Sequence, residues 1–237
     1  MNRHRRVIAR AGTAAWCVML AVCPLGSRAG ALGADAPAPR SAGEESSFEP
    51  SRFQVWESLF VSGTMLKPAY RRFVERMRLS GNERVLDFGS GSGAEAIHIA
   101  GRLSRGGHLT CLDISRTWLE TARKRLKDYT NVSFLLGDIT ALNIPAGSFD
   151  TVAVHLVLHD IPAEVRPAVV KELARVMKKG ARLHIREPLG DSHLGEGMTA
   201  AEVRTLLAGA GLRETSSRFE KLVLWFWATY EGVYEKR

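Results

Sequence analysis

The sequence is poor in cysteine and has no obvious set of metal ligands. Only three of its 237 residues are cysteines, and Cys17 and Cys23 lie within the first 36 residues. The remaining Cys111 has no partner for an internal disulfide, so a disulfide-stabilised fold is excluded. The seven histidines are scattered without ligand spacing, and no metal is predicted.

The chain also lacks a basic stripe with interleaved aromatic residues, the usual mark of a nucleic-acid-binding surface. The formal net charge is +8, but residues 1–36 contain five arginines and one aspartate and so carry +4 of it. The remaining charge of about +4 is too small to indicate nucleic acid as a partner.

The first 36 residues have the layout of a secretory signal peptide. Arginines up to Arg10 precede an uncharged run, residues 11–27, and Ala34-Asp-Ala36 is a small-x-small cleavage site. The run is too short for a comfortable membrane span, so we expect an exported or periplasmic protein with no stable membrane span in the mature chain. Organelle import, or a cytoplasmic protein with a misassigned start codon, are the alternatives. Residues 37–50 are expected to be a flexible linker before a domain at 51–237.

Strand and helix patterns alternate along this domain. Apolar runs predict strands from Val85 and at 108–112, 132–136, 149–156, 182–187, 213–219 and 222–230. Gly180 is expected to end the helix before the fifth strand, and Thr199-Ala-Ala-Glu202 forms a capping box. The alternation predicts an α/β fold with a doubly wound, mainly parallel sheet. The last two strands are expected to pair as an antiparallel hairpin, with Trp225 and Trp227 in the core.

The segment Val85–Gly93, Val-Leu-Asp-Phe-Gly-Ser-Gly-Ser-Gly, is the most informative one. It describes a buried strand that turns through three glycines into a helix, where bare backbone and a helix N-terminus meet a ligand. Asp87 lies two residues before the first glycine, where its charge would repel a pyrophosphate and attract an ammonium or sulfonium group. The loop also satisfies the loose Gly-x-Gly-x-x-Gly/Ala pattern of NAD-type oxidoreductases.

Two further acids follow the next two strands. Asp113 ends the second strand, 24 residues beyond Gly89, where an acid binds ribose hydroxyls. Asp138 follows the third strand. The oxidoreductase interpretation explains neither Asp87 nor Asp138, and no tyrosine has a lysine four positions later.

Several segments in order resemble the class I S-adenosylmethionine-dependent methyltransferases, in particular the small-molecule branch with quinone and lipid methyltransferases. The resemblance covers about residues 67–237 and is carried by Val85–Gly93, Leu112–Ser115, Gly137–Ile139, Phe149–Val152 with Val157–Ile161, and Glu172–Gly180. It departs from the family at Lys179-Gly180-Ala181, where Pro-Gly-Gly is usual.

The resemblance implies a Rossmann-like methyltransferase fold, seven-stranded with an antiparallel last strand, that binds S-adenosyl-L-methionine. The glycine loop would wrap the methionine part and Asp87 would face its ammonium group. Asp113 would bind the ribose and Asp138 the adenine amino group. The expected cofactor contacts are Asp87, Gly89, Ser90, Gly91, Gly93, Asp113, Ile114, Asp138, Ile139 and His155. The implied function is in-line methyl transfer, and a noncatalytic S-adenosylmethionine-binding protein is the alternative.

The general base and the acceptor are the least specified parts. The residues expected to line the substrate pocket are His155, His159, Asp160, Arg186 and Glu187. Either histidine is a candidate base, although a capping or surface role fits His159 equally well. Nitrogen and soft carbon nucleophiles need no base.

The available cover of the pocket is small. The loop 190–198 and the segment 48–78 are its two parts, and in the latter Phe53, Val55, Trp56, Leu59 and Phe60 have near-helical spacing. This apolar helix is expected either to lie over the mouth as a lid or to pack in the core. No insertion is large enough for a second domain, so the predicted partner is a small, partly apolar molecule such as a quinone, phenol, lipid or secondary metabolite.

Overall fold

The computed structural model describes residues 49–104, 106–190, 197–222 and 227–237. The predicted signal peptide, residues 37–48 of the predicted linker, residues 191–196 of the predicted cover and Trp225 lie outside these ranges. The side chain of Trp227 lies outside them as well. Within these ranges we find no helix that is long and apolar enough to cross a bilayer.

One seven-stranded sheet organises the described part of the chain. Its strands are β1 (Arg84–Phe88), β2 (His108–Asp113), β3 (Val132–Leu136), β4 (Phe149–His155), β5 (Met177–Pro188), β6 (Leu212–Leu222) and β7 (Trp227–Lys236). The strand order is β3-β2-β1-β4-β5-β7-β6. Strands β1 to β5 pair in parallel, and β7 is antiparallel to both of its neighbours. The predicted sheet, including its antiparallel last strand, is confirmed.

Helices cover both faces of the sheet. They are α1 (Arg52–Gly63), α2 (Lys67–Met77), α3 (Ala96–Ala100), α4 (Arg116–Arg125), α5 (Arg166–Val176) and α6 (Ala200–Gly209), with a 3-10 turn at Leu158–Asp160. Because side chains alternate across a strand, Val85 packs in the core under α2, α3 and α4, whereas Leu86 packs in the core under α5 and α6. The capping box of Thr199 and Glu202 is confirmed at the start of α6.

Two predicted details are wrong. Helix α5 ends at Val176 and β5 begins at once with Met177, so Gly180 lies inside the strand and does not end the helix. The pairing of β4 with β5 shifts register just after Met177, and the φ of 77° at Gly180 suits such an irregularity. The strand predicted at 222–230 is also misplaced, because β6 extends to Leu222 and β7 starts at Trp227. Their antiparallel pairing is confirmed.

Candidate functional site

The turn after β1 requires glycine. Gly89, Gly91 and Gly93 have φ values of 71°, 50° and 74°, a region that other residues avoid. A Cβ on Gly89 would lie 2.5 Å from a methyl group of Val157. The backbone N–H of Gly89 donates to the carbonyl of Leu112 over 2.8 Å, which ties the turn to the end of β2. The loop is therefore held with bare backbone toward the space above β1.

That space is a cavity of about 280 Å³ at the carboxyl ends of the parallel strands, where open α/β sheets bind their ligands. Nine of the ten predicted cofactor contacts line it, namely Asp87, Gly89, Ser90, Gly91, Asp113, Ile114, Asp138, Ile139 and His155. Gly93 does not line the cavity. A Cβ at Gly93 would lie 3.1 Å from the Cβ of Ala122, so this glycine allows α4 to approach the loop.

Asp113 and Asp138 are both oriented by backbone donors. The carboxylate of Asp113 accepts the N–H of Gly91 over 2.8 Å and the N–H of Ser115 over 2.9 Å. Burial raises the pKa of Asp113, and these hydrogen bonds oppose the rise. Oδ1 of Asp138 accepts from the backbone N–H and the hydroxyl of Thr140, each over 2.8 Å. Both acids are thus fixed at the cavity before any ligand binds.

Asp87 is a buried acid with an unpartnered carboxylate oxygen in the described part of the chain. Its side chain is 2% exposed, and its Oδ2 has no hydrogen-bond partner among the described residues. Burial, and then the charge of Asp113, raise the pKa of Asp87 to about 7. The hydroxyl of Ser90 is buried and equally without a partner in the described part. A cationic ligand would pay back the cost of burying such a carboxylate.

His155 lines the cavity, and charged side chains lie close to both of its ring nitrogens. Nε2 lies 3.2 Å from Nη1 of Arg186 and must be the acceptor, because a guanidinium only donates. The proton therefore resides on Nδ1, which lies 3.3 Å from Oε2 of Glu95. Burial and the charge of Arg186 hold the pKa of His155 well below its ordinary value. This neutral ring can orient a neighbour, but it is a weak proton acceptor.

Arg186 does not reach the cavity, contrary to the prediction. It is fully buried, and its Nη2 lies 2.9 Å from Glu220 and 2.7 Å from Glu231. Arg76 of α2 contacts the same two carboxylates, at 2.8 and 2.7 Å. The four charges join α2 to the end of the sheet and place one guanidinium behind His155.

Glu187 does not line the cavity either, and it serves the turn after β4. Its buried carboxylate accepts the backbone N–H groups of Val157, Leu158 and His159 over 3.0, 2.9 and 3.3 Å. It also holds Nδ1 of His159 at 2.8 Å. His159 is not part of the cavity lining, whereas the neighbouring Asp160 is. The predicted role of His159 as a base stays a prediction.

Helix α1 presents its polar side to the cavity and its apolar side outward. Gln54, Ser58, Val61 and Ser62 line the cavity. The outer side chains Phe53, Trp56, Leu59 and Phe60 are 65%, 59%, 37% and 55% exposed. These four side chains form neither the apolar lid nor the core contact that their spacing predicts. The helix thus covers the pocket with residues for which the sequence pattern predicts no role.

The structure adds further residues to the site. Tyr70 of α2 and Glu95, which precedes α3, line the cavity beside His155. Glu49, within the predicted linker, accepts the backbone N–H groups of Arg116 and Thr117 over 2.7 and 3.1 Å and so caps α4. In the described ranges no group of three or more His, Cys, Asp or Glu side chains could hold a metal ion.

Two curated relatives are similar over part of this chain. Demethylmenaquinone methyltransferase of Listeria welshimeri is 33% identical over 109 residues, 45% of each protein. Arsenite methyltransferase of Rattus norvegicus is 29% identical over 133 residues, which cover 52% of this chain and 36% of that protein. The chain thus spans about half, or less, of the length of these relatives.

Solved structures share the fold at low identity. The N-methyltransferase NodS of Bradyrhizobium japonicum, solved with S-adenosyl-L-homocysteine, has a TM-score of 0.64 at 18% identity, over 73% of this chain and 88% of that one. The [4+2]-cyclase SpnF has a TM-score of 0.63 at 17% identity, over 72% and 80%. Residues 85–180, which include the glycine loop and the strand-end acids, match the family of methyltransferase domains. This match and the strand order support a class I S-adenosylmethionine-dependent methyltransferase.

Proposed function

We propose that the protein transfers a methyl group from S-adenosylmethionine to a small, partly apolar acceptor. The observation that carries this proposal is the composition of one continuous cavity. The glycine loop and three acids form one part of its wall. The remainder is mostly apolar and consists of Leu66, Val157, Ile161, Pro162, Val165 and Val169, together with the polar residues of α1.

The cofactor supplies an activated methyl group, since its sulfonium is a good leaving group. The protein has to hold the reactants in line and exclude water. Asp113 and Asp138 are pre-oriented for hydroxyl and amino donors, and α1 covers the pocket. No step requires a metal ligand.

The surroundings of the two histidines favour an acceptor that needs no strong base. Burial and the charge of Arg186 hold the pKa of His155 well below its ordinary value, and His159 lies outside the cavity lining. A neutral amine, an acidic phenol or a stabilised carbanion attacks a methyl sulfonium without such help. The quinone-related reaction named for the Listeria relative is compatible with the last two of these classes.

A noncatalytic protein that binds the same cofactor is the second candidate, because a shared fold does not imply a shared reaction. The glycine loop, the three acids and the apolar compartment are all present here, whereas a binding protein needs no acceptor compartment.

The test uses S-adenosylmethionine with a labelled methyl group and an extract of the native cell. Label is expected in the small-molecule or lipid fraction, and Asp113→Ala should reduce its rate of appearance. Label found only in protein or nucleic acid would contradict the proposed acceptor. Cofactor binding without transfer to any fraction would support the noncatalytic candidate.

A further inference from the structure

Glu95 is a buried acid to which the sequence assigns no function. It directly precedes α3, is 4% exposed and lines the cavity. Neither of its carboxylate oxygens has a hydrogen-bond partner among the described residues. Because burying a lone carboxylate is costly, such a group calls for a proton or a cation.

Asp87 shares this condition, with its Oδ2 also unpartnered in the described part of the chain. The two acids interact electrostatically. Burial and then the charge of Asp87 raise the pKa of Glu95 well above its ordinary value. Two carboxylates in one buried site cannot both ionise unless a cation joins them.

The charge of Arg186 opposes the rise in the pKa of Glu95, but this guanidinium is bonded to other carboxylates. Arg186 bonds Glu220 and Glu231 through Nη2, and its Nη1 points to His155. His155 approaches Glu95 at 3.3 Å, but it is a neutral ring in this environment. A divalent metal is not indicated either, since the described residues hold no sufficient ligand group.

We propose that Glu95 and Asp87 form one site for a protonated amine, which receives the α-ammonium group of the methionine part of S-adenosylmethionine. This inference rests on the proposed function and adds Glu95 to the binding residues. An ammonium group has three N–H donors, enough to reach both carboxylates. Glu95 follows Gly93 by two residues, and both acids therefore lie at the glycine-loop end of the cavity.

The chemistry also explains why both acids tolerate burial. Without a ligand, the pair retains protons. With the ammonium group in place, the positive charge compensates both carboxylates and satisfies the unpartnered oxygens. Tyr70 and His155 line the same cavity, with their ring centroids 4.8 Å apart.

Calorimetry with two ligands tests the site in the full chain. S-adenosylhomocysteine carries the ammonium group, whereas 5′-methylthioadenosine keeps the adenosine and the thioether but lacks the amino acid part. We expect Glu95→Gln to lower the affinity for S-adenosylhomocysteine about tenfold or more. The same variant should bind 5′-methylthioadenosine as the wild type does, within about twofold. Glu95→Asp keeps a carboxylate and should recover part of the loss.

Two results would overturn the inference. One is equal affinity of wild type and Glu95→Gln for S-adenosylhomocysteine. The other is an equal loss for both ligands, because that indicates a distorted cavity and not a lost charge contact. A wild-type protein that binds neither ligand would instead contradict the proposed function, so the two failures are distinguishable.

Discussion

At the residue scale, the molecule maintains acids in its interior at a cost to its own stability. Asp87 and Asp113 are 2% and 7% exposed, and burial raises the pKa of each. Backbone donors relieve Asp113, whereas Oδ2 of Asp87 has no such donor among the described residues. Such a carboxylate belongs to a site built for its ligand and not for the empty protein.

Asp87 gives a pH-dependent test. Its pKa of about 7 in the folded state exceeds that of an unfolded aspartate, about 3.9, so the folded protein binds the extra proton. The stabilisation from this extra proton is fully present below about pH 3.9, the pKa in the unfolded state. It is lost as the pH rises to about 7, by up to about 4 kcal/mol. Asp87→Asn should therefore flatten the fall of the melting temperature between pH 4 and 7, as measured by calorimetric scans. Parallel curves for wild type and variant would contradict this.

His159 gives a kinetic test. Because its ring is bonded to Glu187 and does not line the cavity, we expect His159→Asn to lower turnover less than about tenfold, with cofactor affinity unchanged. A general base would cost about 10²–10⁴. The measurement is the turnover of the variant with the acceptor found in the labelling experiment. A loss of about 10²–10⁴ would restore His159 as the base.

At the element scale, the strands and the glycine turn could be predicted from local pattern, and α1 could not. Apolar runs and the residues of the Val85–Gly93 segment each report on their own surroundings. The orientation of α1 depends on a cavity formed by strands that are distant in sequence. This cavity is lined by the polar residues Gln54 and Ser58 of the helix. Glu95 was missed for the same reason, since its neighbours Asp87 and His155 are brought to it by the fold alone. Its one sequence signal is an acid that follows the glycine loop at the start of an apolar helix.

Helix α1 can be tested with one variant on each side. Ser58→Trp places an indole in the cavity wall, where Ser58 Oγ now lies 3.2 Å from Ser92 Oγ, and should weaken cofactor or acceptor binding. Trp56→Ala acts on the exposed side and should change neither binding nor stability by more than about 1 kcal/mol. Calorimetry and urea denaturation measure both. Equal effects of the two variants on binding would refute the assigned orientation.

At the scale of the whole molecule, residues 1–36 bear on where the protein works. We propose export, on the basis of the basic, apolar and Ala-x-Ala parts of residues 1–36. The mature protein from its native cell should then begin near Asp35 or Pro37. Amino-terminal sequencing checks this, and Met1 on a soluble cytosolic protein would refute export.

The central claim is that one cavity, built by the glycine loop and the strand-end acids, binds S-adenosylmethionine. Titration calorimetry of the wild-type protein tests it most directly, with S-adenosylmethionine and NAD as ligands and Asp113→Ala as the matched variant. We expect binding of S-adenosylmethionine, weakened in the variant by about 1.5–3 kcal/mol, the scale of hydrogen bonds to a charged group. No binding by the wild type, or tighter binding of NAD, would contradict the claim.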